Sequence, residues 1–185
     1  MRIKLFPLAA LAALLLSVLA PSLAIAQTPQ PMMAYISSIK GQKSGQIKGD
    51  SVQRGREGWM QLYDYKHEIV SPRDAASGLA TGRRMHKPVT ITRKVGAGSP
   101  LLMNVLCTNE NLTEVKFSFW QPNPRIGTEV NYYSIALTNA SISSYRQFHE
   151  PGVGLMEEIS FTYQKIEMIL TDGGVSSMDE WMVRN

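Results

Sequence analysis

From residue 34 onward most of the chain alternates apolar and polar side chains with a period of two, the spacing of strands that bury one face. Residues 34–39 form an apolar, β-prone opening strand. Gly41, Gly45, Gly49, Gly55 and Gly58 then punctuate a stretch that reads as turns and loop. Residues 59–70 predict a longer strand, with Trp59, Tyr63, Tyr65, His67 and Ile69 on one parity. Met60, Leu62, Asp64, Lys66 and Glu68 take the other. Residues 71–82 are rich in Pro, Asp, Ser, Gly and Ala and predict a loop. Loops of that length in compact domains tend to carry function.

Alternation returns over 87–95, with Val89, Ile91, Arg93 and Val95 opposite Thr90, Thr92 and Lys94. It recurs over 114–120, where Val115, Phe117 and Phe119 share a face, then over 130–141 and 159–170. Pro122 and Pro124 mark the turn after the first of these. In the last, Ile159, Phe161, Tyr163 and Lys165 oppose Ser160, Thr162, Gln164 and Ile166. One stretch changes period. Ser99 is placed to cap a helix, and Pro100 suits its first position because the missing N–H has no intrahelical partner there. Leu101, Leu102, Val105 and Leu106 follow at helical spacing. From Thr171 the chain reads as a loosely ordered tail in which Trp181 can dock. Many strands and one short helix predict a mainly β fold: a compact β-barrel of two antiparallel-rich sheets with one short flanking α-helix.

The first residues have a different character. Arg2 and Lys4 precede an apolar run over 5–20, Pro21 and Ser22 break it, and Ala24-Ile25-Ala26 gives small residues before a cut at Gln27. That is the three-part layout of a secretory signal peptide, 1–26, cleaved between Ala26 and Gln27. A polar linker, 27–33, leads to the barrel over 34–170 and the tail over 171–185. Cleavage removes two basic residues and no acids, so the formal charge falls from +4 to +2. So small a balance argues against a nucleic-acid partner. No later segment is long and apolar enough to span a bilayer as a helix, so no stable membrane insertion is expected after cleavage. Cys107 is the sole cysteine, which rules out an intrachain disulfide. Near a helix it reads as a small buried apolar residue.

Candidate chemistry is sparse. His67, His86 and His149 are isolated along the chain and read as surface or hydrogen-bonded structural residues rather than metal ligands. Ser37 and Lys40 match a Ser-x-x-Lys pattern but lie in a predicted strand. No nucleophile elbow, phosphate loop or dinucleotide fingerprint is present. Trp59, Tyr63 and Tyr65 have the chemistry to stack on sugars or bases, but at alternating strand positions they read as core or interface residues.

Several segments in order resemble one family. Met33-Ala-Tyr-Ile-Ser-Ser-Ile-Lys-Gly41 resembles the start of the haemolysin-coregulated protein (Hcp) family, the tube protein of type VI secretion. Gly82-Arg-Arg-Met-His-Lys-Pro88 is similar to its Gly-x-Arg-x-His-x-Pro segment, and Ser99-Pro-Leu-Leu-Met-Asn-Val-Leu106 resembles its helix opening. Tyr133-Ser-Ile-Ala-Leu-Thr-Asn-Ala-Ser-Ile142 and Glu158-Ile-Ser-Phe-Thr-Tyr-Gln-Lys-Ile166 resemble two of its strands, and Asp179-Glu-Trp181 the ending of some members. The resemblance implies a non-enzymatic subunit without cofactor. It implies homohexameric rings stacked into a tube inside a contractile sheath, with a spike at the tip and secreted effectors in the lumen. It thereby links the chain to virulence.

Three readings follow. The first is a ring-forming structural and transport protein. The second is an exported monomeric β-barrel that binds a small ligand, which requires an internal cavity. The third is an exported hydrolase with a dispersed site. The leader departs from a tube subunit assembled in the cytoplasm. It implies a periplasmic or secreted relative, unless translation truly starts at Met33. Gly82, Arg84, His86 and Pro88 also have two readings. Gly82 permits a turn and Pro88 opens an edge strand, or Arg84 and His86 bond across a subunit boundary.

Overall fold

The computed structural model describes residues 32–171 and 173–181. The leader and its Ala26–Gln27 junction lie outside the described residues. In chain order the elements are β1 (Ala34–Gly41), β2 (Gly45–Gln46), β3 (Met60–Gln61), β4 (Asp64–Lys66), β5 (Ile69–Val70) and β6 (Met85–His86). Then come β7 (Val89–Lys94), α1 (Ser99–Cys107), β8 (Leu112–Asn123), β9 (Thr128–Glu150), β10 (Gly154–Leu170) and β11 (Val175–Glu180). Every pairing is antiparallel: one nine-stranded sheet in the order β2-β1-β8-β9-β10-β7-β4, with β3 on β1 and β11 on β10, and a small β5–β6 ribbon.

The expected long strand over 59–70 is instead three short ones, and the break is what shuts the barrel. β3 pairs with β1 through Tyr35↔Gln61 and Ile36↔Met60, and Leu62 N–H donates to Ala34 O at 2.9 Å. One residue later Tyr63 N–H donates to Thr92 O at 2.8 Å, and β4 pairs with β7. Residues 60–66 therefore lace β1 to β7, and hydrogen bonds run round a closed circuit. Crossing from one ladder to the other changes which parity faces inward. Met60 and Leu62 are buried before the crossing, and Tyr65 packs on Phe117 and Phe119 after it, with ring centroids 5.4 and 5.2 Å away. A reading by strict alternation cannot anticipate that switch.

A second switch bends the sheet. Along β9 the buried apolar residues are Ile135 and Leu137, then Ala140 and Ile142. Between them Asn139 takes a left-handed backbone, φ 49°, which asparagine tolerates better than most residues. Its neighbours follow suit: β10 buries Phe161 and Tyr163, then Ile166, and β8 buries Leu112, then Val115 and Phe117. The expected alternation on β10 thus holds to Tyr163 and reverses beyond Gln164. Gly41, at the end of β1, answers a tighter limit, because a Cβ there would lie 2.4 Å from Glu110 Oε1. That carboxylate accepts from the N–H of Lys43 and Ser44 at 2.6 and 2.7 Å and fixes the β1–β2 turn.

The barrel is filled by its own side chains. Ile36, Ile39, Ile91, Val115, Phe117, Leu137, Ile159 and Phe161 form one cluster with little or no exposure. Arg93 lies on the inward parity of β7, 1% exposed, and donates to Glu157 Oε1 at 2.6 Å. Tyr145 OH donates to the other oxygen of Glu157 at 2.7 Å, and Arg93 Nη2 donates to Ser99 Oγ at 3.2 Å. This network joins β7, β9 and β10 to the start of α1. It also corrects the capping expectation: Gly98 is the N-cap, because the Ser99 hydroxyl is engaged by Arg93 and by Gly96 N–H. On α1 Leu102 and Val105 are buried, whereas Leu101 is exposed. Cys107 is exposed as well, contrary to the buried role expected of it, because the last turn of the helix faces it away from the barrel.

Removing one partner of a buried ion pair strands the other charge, which costs about 3–5 kcal/mol. Arg93→Met is therefore expected to lower the urea unfolding free energy by about that much. Arg93→Met with Glu157→Leu should recover most of it, as read from the same unfolding curves.

Candidate functional site

The loop over 71–82 is a built finger. Its root is the β5–β6 ribbon, with Ile69 opposite His86 and Val70 opposite Met85. Further out, Arg73 bridges to Ala80, and Thr81 N–H donates to Pro72 O at 3.0 Å. At the tip Asp74 Oδ1 accepts from Ala76 N–H, Ser77 N–H and Ser77 Oγ at 3.1, 2.7 and 2.8 Å. These bonds hold the Asp74 carboxyl below its usual range, the Ser77 backbone contributing most. Leu79 stands out at 69% exposed.

The root is fastened to the barrel by a chain of polar groups. Arg84 makes a two-pronged pair with the Asp179 carboxylate and also donates to Glu180 O at 3.0 Å. His86 Nε2 lies 2.8 Å from Asp179 Oδ2, and its Nδ1 lies 3.1 Å from Tyr163 OH. His67 Nε2 approaches the same hydroxyl at 2.7 Å. Trp181 stacks obliquely on the His86 ring, centroids 5.6 Å apart. The Arg84 guanidinium holds the Asp179 carboxyl below its usual range. Burial pushes the Tyr163 phenol up to about 12. Burial also lowers His67, with the charge of His86 adding to it.

Of the four residues singled out from sequence, Arg84 and His86 meet on one carboxylate within the chain. Gly82 and Pro88 do not join them. A Cβ at Gly82 would meet Pro72 at an ordinary 3.7 Å, so no steric need for glycine exists there. Pro88 is exposed and leads into β7, which is paired on both sides rather than at an edge. Asp179 lies in a stretch expected to be loosely ordered. Instead β11 pairs with β10 from Lys165↔Glu180 to Leu170↔Val175. The far half of β10 was already readable as a strand, but nothing local shows which segment covers its edge.

Two surfaces complete the site. Over β7, β9 and β10 the outward face is rich in hydroxyl and amide groups. Thr90 Oγ1 and Ser160 Oγ lie 2.9 Å apart, Ser143 Oγ donates to Ser160 O at 3.2 Å, and Asn139 donates to Gln164 Oε1 at 2.9 Å. The clefts run over the outside of the barrel. One is lined by Tyr35, Gln53, Tyr63 and Lys94, another by Gln121, Arg125, Tyr132 and Thr171. Of the early aromatics, Tyr65 belongs to the core packing. Trp59 packs against Tyr35 and Trp120 at 6.2 and 6.3 Å, where Arg56 sits 3.9 Å over the Trp120 ring and pairs with Glu129 at 2.6 Å.

This arrangement has known counterparts. A family model described as type VI secretion system effector, Hcp, matches residues 37–169. The chain belongs to the Hcp family. The "Major exported protein" of Pseudomonas aeruginosa is 35% identical over 164 residues, covering 80% of this chain and 94% of that protein. Among solved structures, Hcp1 of E. coli EAEC 042 aligns with a TM-score of 0.74 at 25% identity, covering 81% of this chain and 99% of its own. The secreted protein Hcp3 of Pseudomonas aeruginosa aligns with a TM-score of 0.67 at 32% identity, covering 80% and 99%. The Hcp fold accounts for the β-rich barrel and its single helix.

In this Hcp-family chain the Asp179 pair stabilises the fold in full above the carboxyl's usual value of 3.8 and is lost as pH falls through the lower native value. Asp179→Asn is expected to flatten that acid limb of stability. It should also raise amide exchange over 175–180 roughly tenfold at neutral pH. Both are readable by hydrogen-exchange mass spectrometry with a parallel acid titration.

Proposed function

We propose that this chain is a non-enzymatic structural and transport protein: a subunit that closes into homohexameric rings, which stack as a tube and carry or chaperone effectors. The observation that carries the reading is family membership over nearly all of the barrel, in sequence and in fold. Its partners in this reading are other copies of itself, the spike, the sheath and the secreted effectors. A ring that closes by rotation needs two different patches that meet. The finger over 71–82, with Leu79 exposed at its tip, is a natural candidate for one. Arg84 and His86 contribute by aiming it, with Gly82 at its end and Pro88 just beyond its root. Arg84 and His86 already spend their bonds on Asp179, so their effect on a subunit boundary runs through the finger.

The ligand-barrel reading needs an internal cavity, and the packed cluster around Phe117 and Phe161 weighs against it. The protein is exported, with residues 1–26 as a cleaved signal peptide. The name of its Pseudomonas relative, "Major exported protein", favours that destination. Amino-terminal sequencing of protein from native cells tests this: a start at Gln27 supports cleavage, and a start at Met33 overturns it.

Light scattering on the chain from Gln27 should give about six times the monomer mass, with rings visible by negative-stain microscopy. A monomer across a wide concentration range would overturn the ring. Arg84→Ala should move the assembly toward monomer while the barrel stays folded by circular dichroism.

A further inference from the structure

Two histidines from different segments converge on one tyrosine hydroxyl, and that hydroxyl has a single proton to give. His67 lies just before β5, His86 lies in β6, and Tyr163 comes from β10. Asp179 can only accept while ionised, so His86 carries its proton on Nε2 and its Nδ1 accepts from Tyr163 O–H. The tyrosine oxygen then accepts from His67 Nε2–H. Each of these groups has a partner. One added proton is also accommodated: on His67 it leaves these bonds unchanged, and on His86 Nδ1 it is matched when His67 shifts its own proton to Nδ1, so that the tyrosine proton turns to His67 Nε2. A second proton is not. Both rings then point N–H groups at the same oxygen, the Tyr163 proton has no acceptor in the chain, and two cations flank a hydroxyl whose residue is 5% exposed.

We propose that His67, Tyr163 and His86 form an acid-sensitive latch, which holds the finger over 71–82 against the barrel near neutral pH and releases it when both histidines are protonated. The surroundings set the threshold. The Asp179 carboxylate lies against His86, and the Arg84 guanidinium sits on the same carboxylate. Around His67 the groove carries Lys66 and Lys87, which oppose protonation, and Glu68, which favours it. Lys66 is itself paired with Asp64 at 2.9 Å, and from β4 the uncharged Tyr65 lines the same groove. Burial lowers His67, so its contribution is present in full above its ordinary 6.5 and is lost as pH falls through the lower native value. The first element to loosen is the β5–β6 ribbon, which is held by the pairs Ile69↔His86 and Val70↔Met85 and by Lys87 N–H donating to Glu68 O at 3.0 Å.

The latch concerns one chain and holds whether or not rings form. Under the ring reading, release of the finger would also weaken the assembly. The test is hydrogen exchange on the full mature chain between about pH 7.5 and 5, corrected for intrinsic rates, with the mass by light scattering recorded separately. Exchange over 69–86 is expected to rise about tenfold at the lower pH while β8 and β9 stay protected. His67→Gln keeps an N–H donor for Tyr163 but cannot take a proton, and should remove the rise. Equal protection of 69–86 at both pH values, or the same rise in the variant, would overturn the latch. Should the variant fail to fold, the His67 imidazole is followed by NMR in the wild type. Its titration should coincide with the rise in exchange, and titration without loosening of 69–86 would again overturn the proposal. The wild-type exchange result reads the same on a monomer, so a failed ring and a failed latch are told apart.

Discussion

The structure depends on one segment satisfying two ladders. An open antiparallel sheet leaves two rows of unpaired N–H and C=O groups, and only closure removes them. Here β1 and β7 are the two rows, and residues 60–66 serve both: first β1, then β7, with the crossing between Leu62 and Tyr63. The crossing has a local cost in regularity, because the strand cannot stay straight and change partner. It gains a core sealed on all sides, into which Met60 and Leu62 project before the crossing.

Polar groups are placed where strands and helix must be tied together. Arg93 and Glu157 sit inside the barrel wall and bring Tyr145 and Ser99 with them. Glu110 pins the turn after β1, and Arg56 between Trp120, Tyr35 and Glu129 fastens the glycine-rich stretch over the β8–β9 hairpin. Buried charges of this kind contribute little net stability compared with apolar packing, and register is their best-attested use. Outside the core the same logic appears at the finger, whose tip is shaped by Asp74 and whose root is fastened by Asp179.

Much of this was legible from residue pattern. The faces of β7 and β8, the helix at Ser99 and Pro100 and the isolated loop all follow from local periodicity and turn chemistry, whereas Pro122, read as part of a turn, lies in β8 opposite Glu129, and the turn begins at Pro124. What was not legible depends on partners far along the chain. Nothing near Trp59 says that its strand will switch ladders, and nothing near Val175 says that β10 has an uncovered edge. Asn139 does not announce that a left-handed residue will reverse the inward parity of three strands. At the site, Arg84 and His86 stood out through the family resemblance. Their intrachain partners Asp179, Tyr163 and His67 emerged only once the chain was folded, because 95, 77 and 96 residues separate the members of that chain of contacts.

Those separations also set an order of events in synthesis. Arg84 cannot meet Asp179 until residues 175–180 have left the ribosome, whereas β8 and β9 are neighbours joined by a short turn. The β8–β9–β10 meander can collapse while the carboxy-terminal residues are still being delivered. The finger is therefore the last part of the chain to be aimed. A chain cut short before Val175 would retain strands able to close the barrel and lack the carboxylate that orients the finger. Delivery of β11 is thus built into the geometry as a condition for presenting that projection.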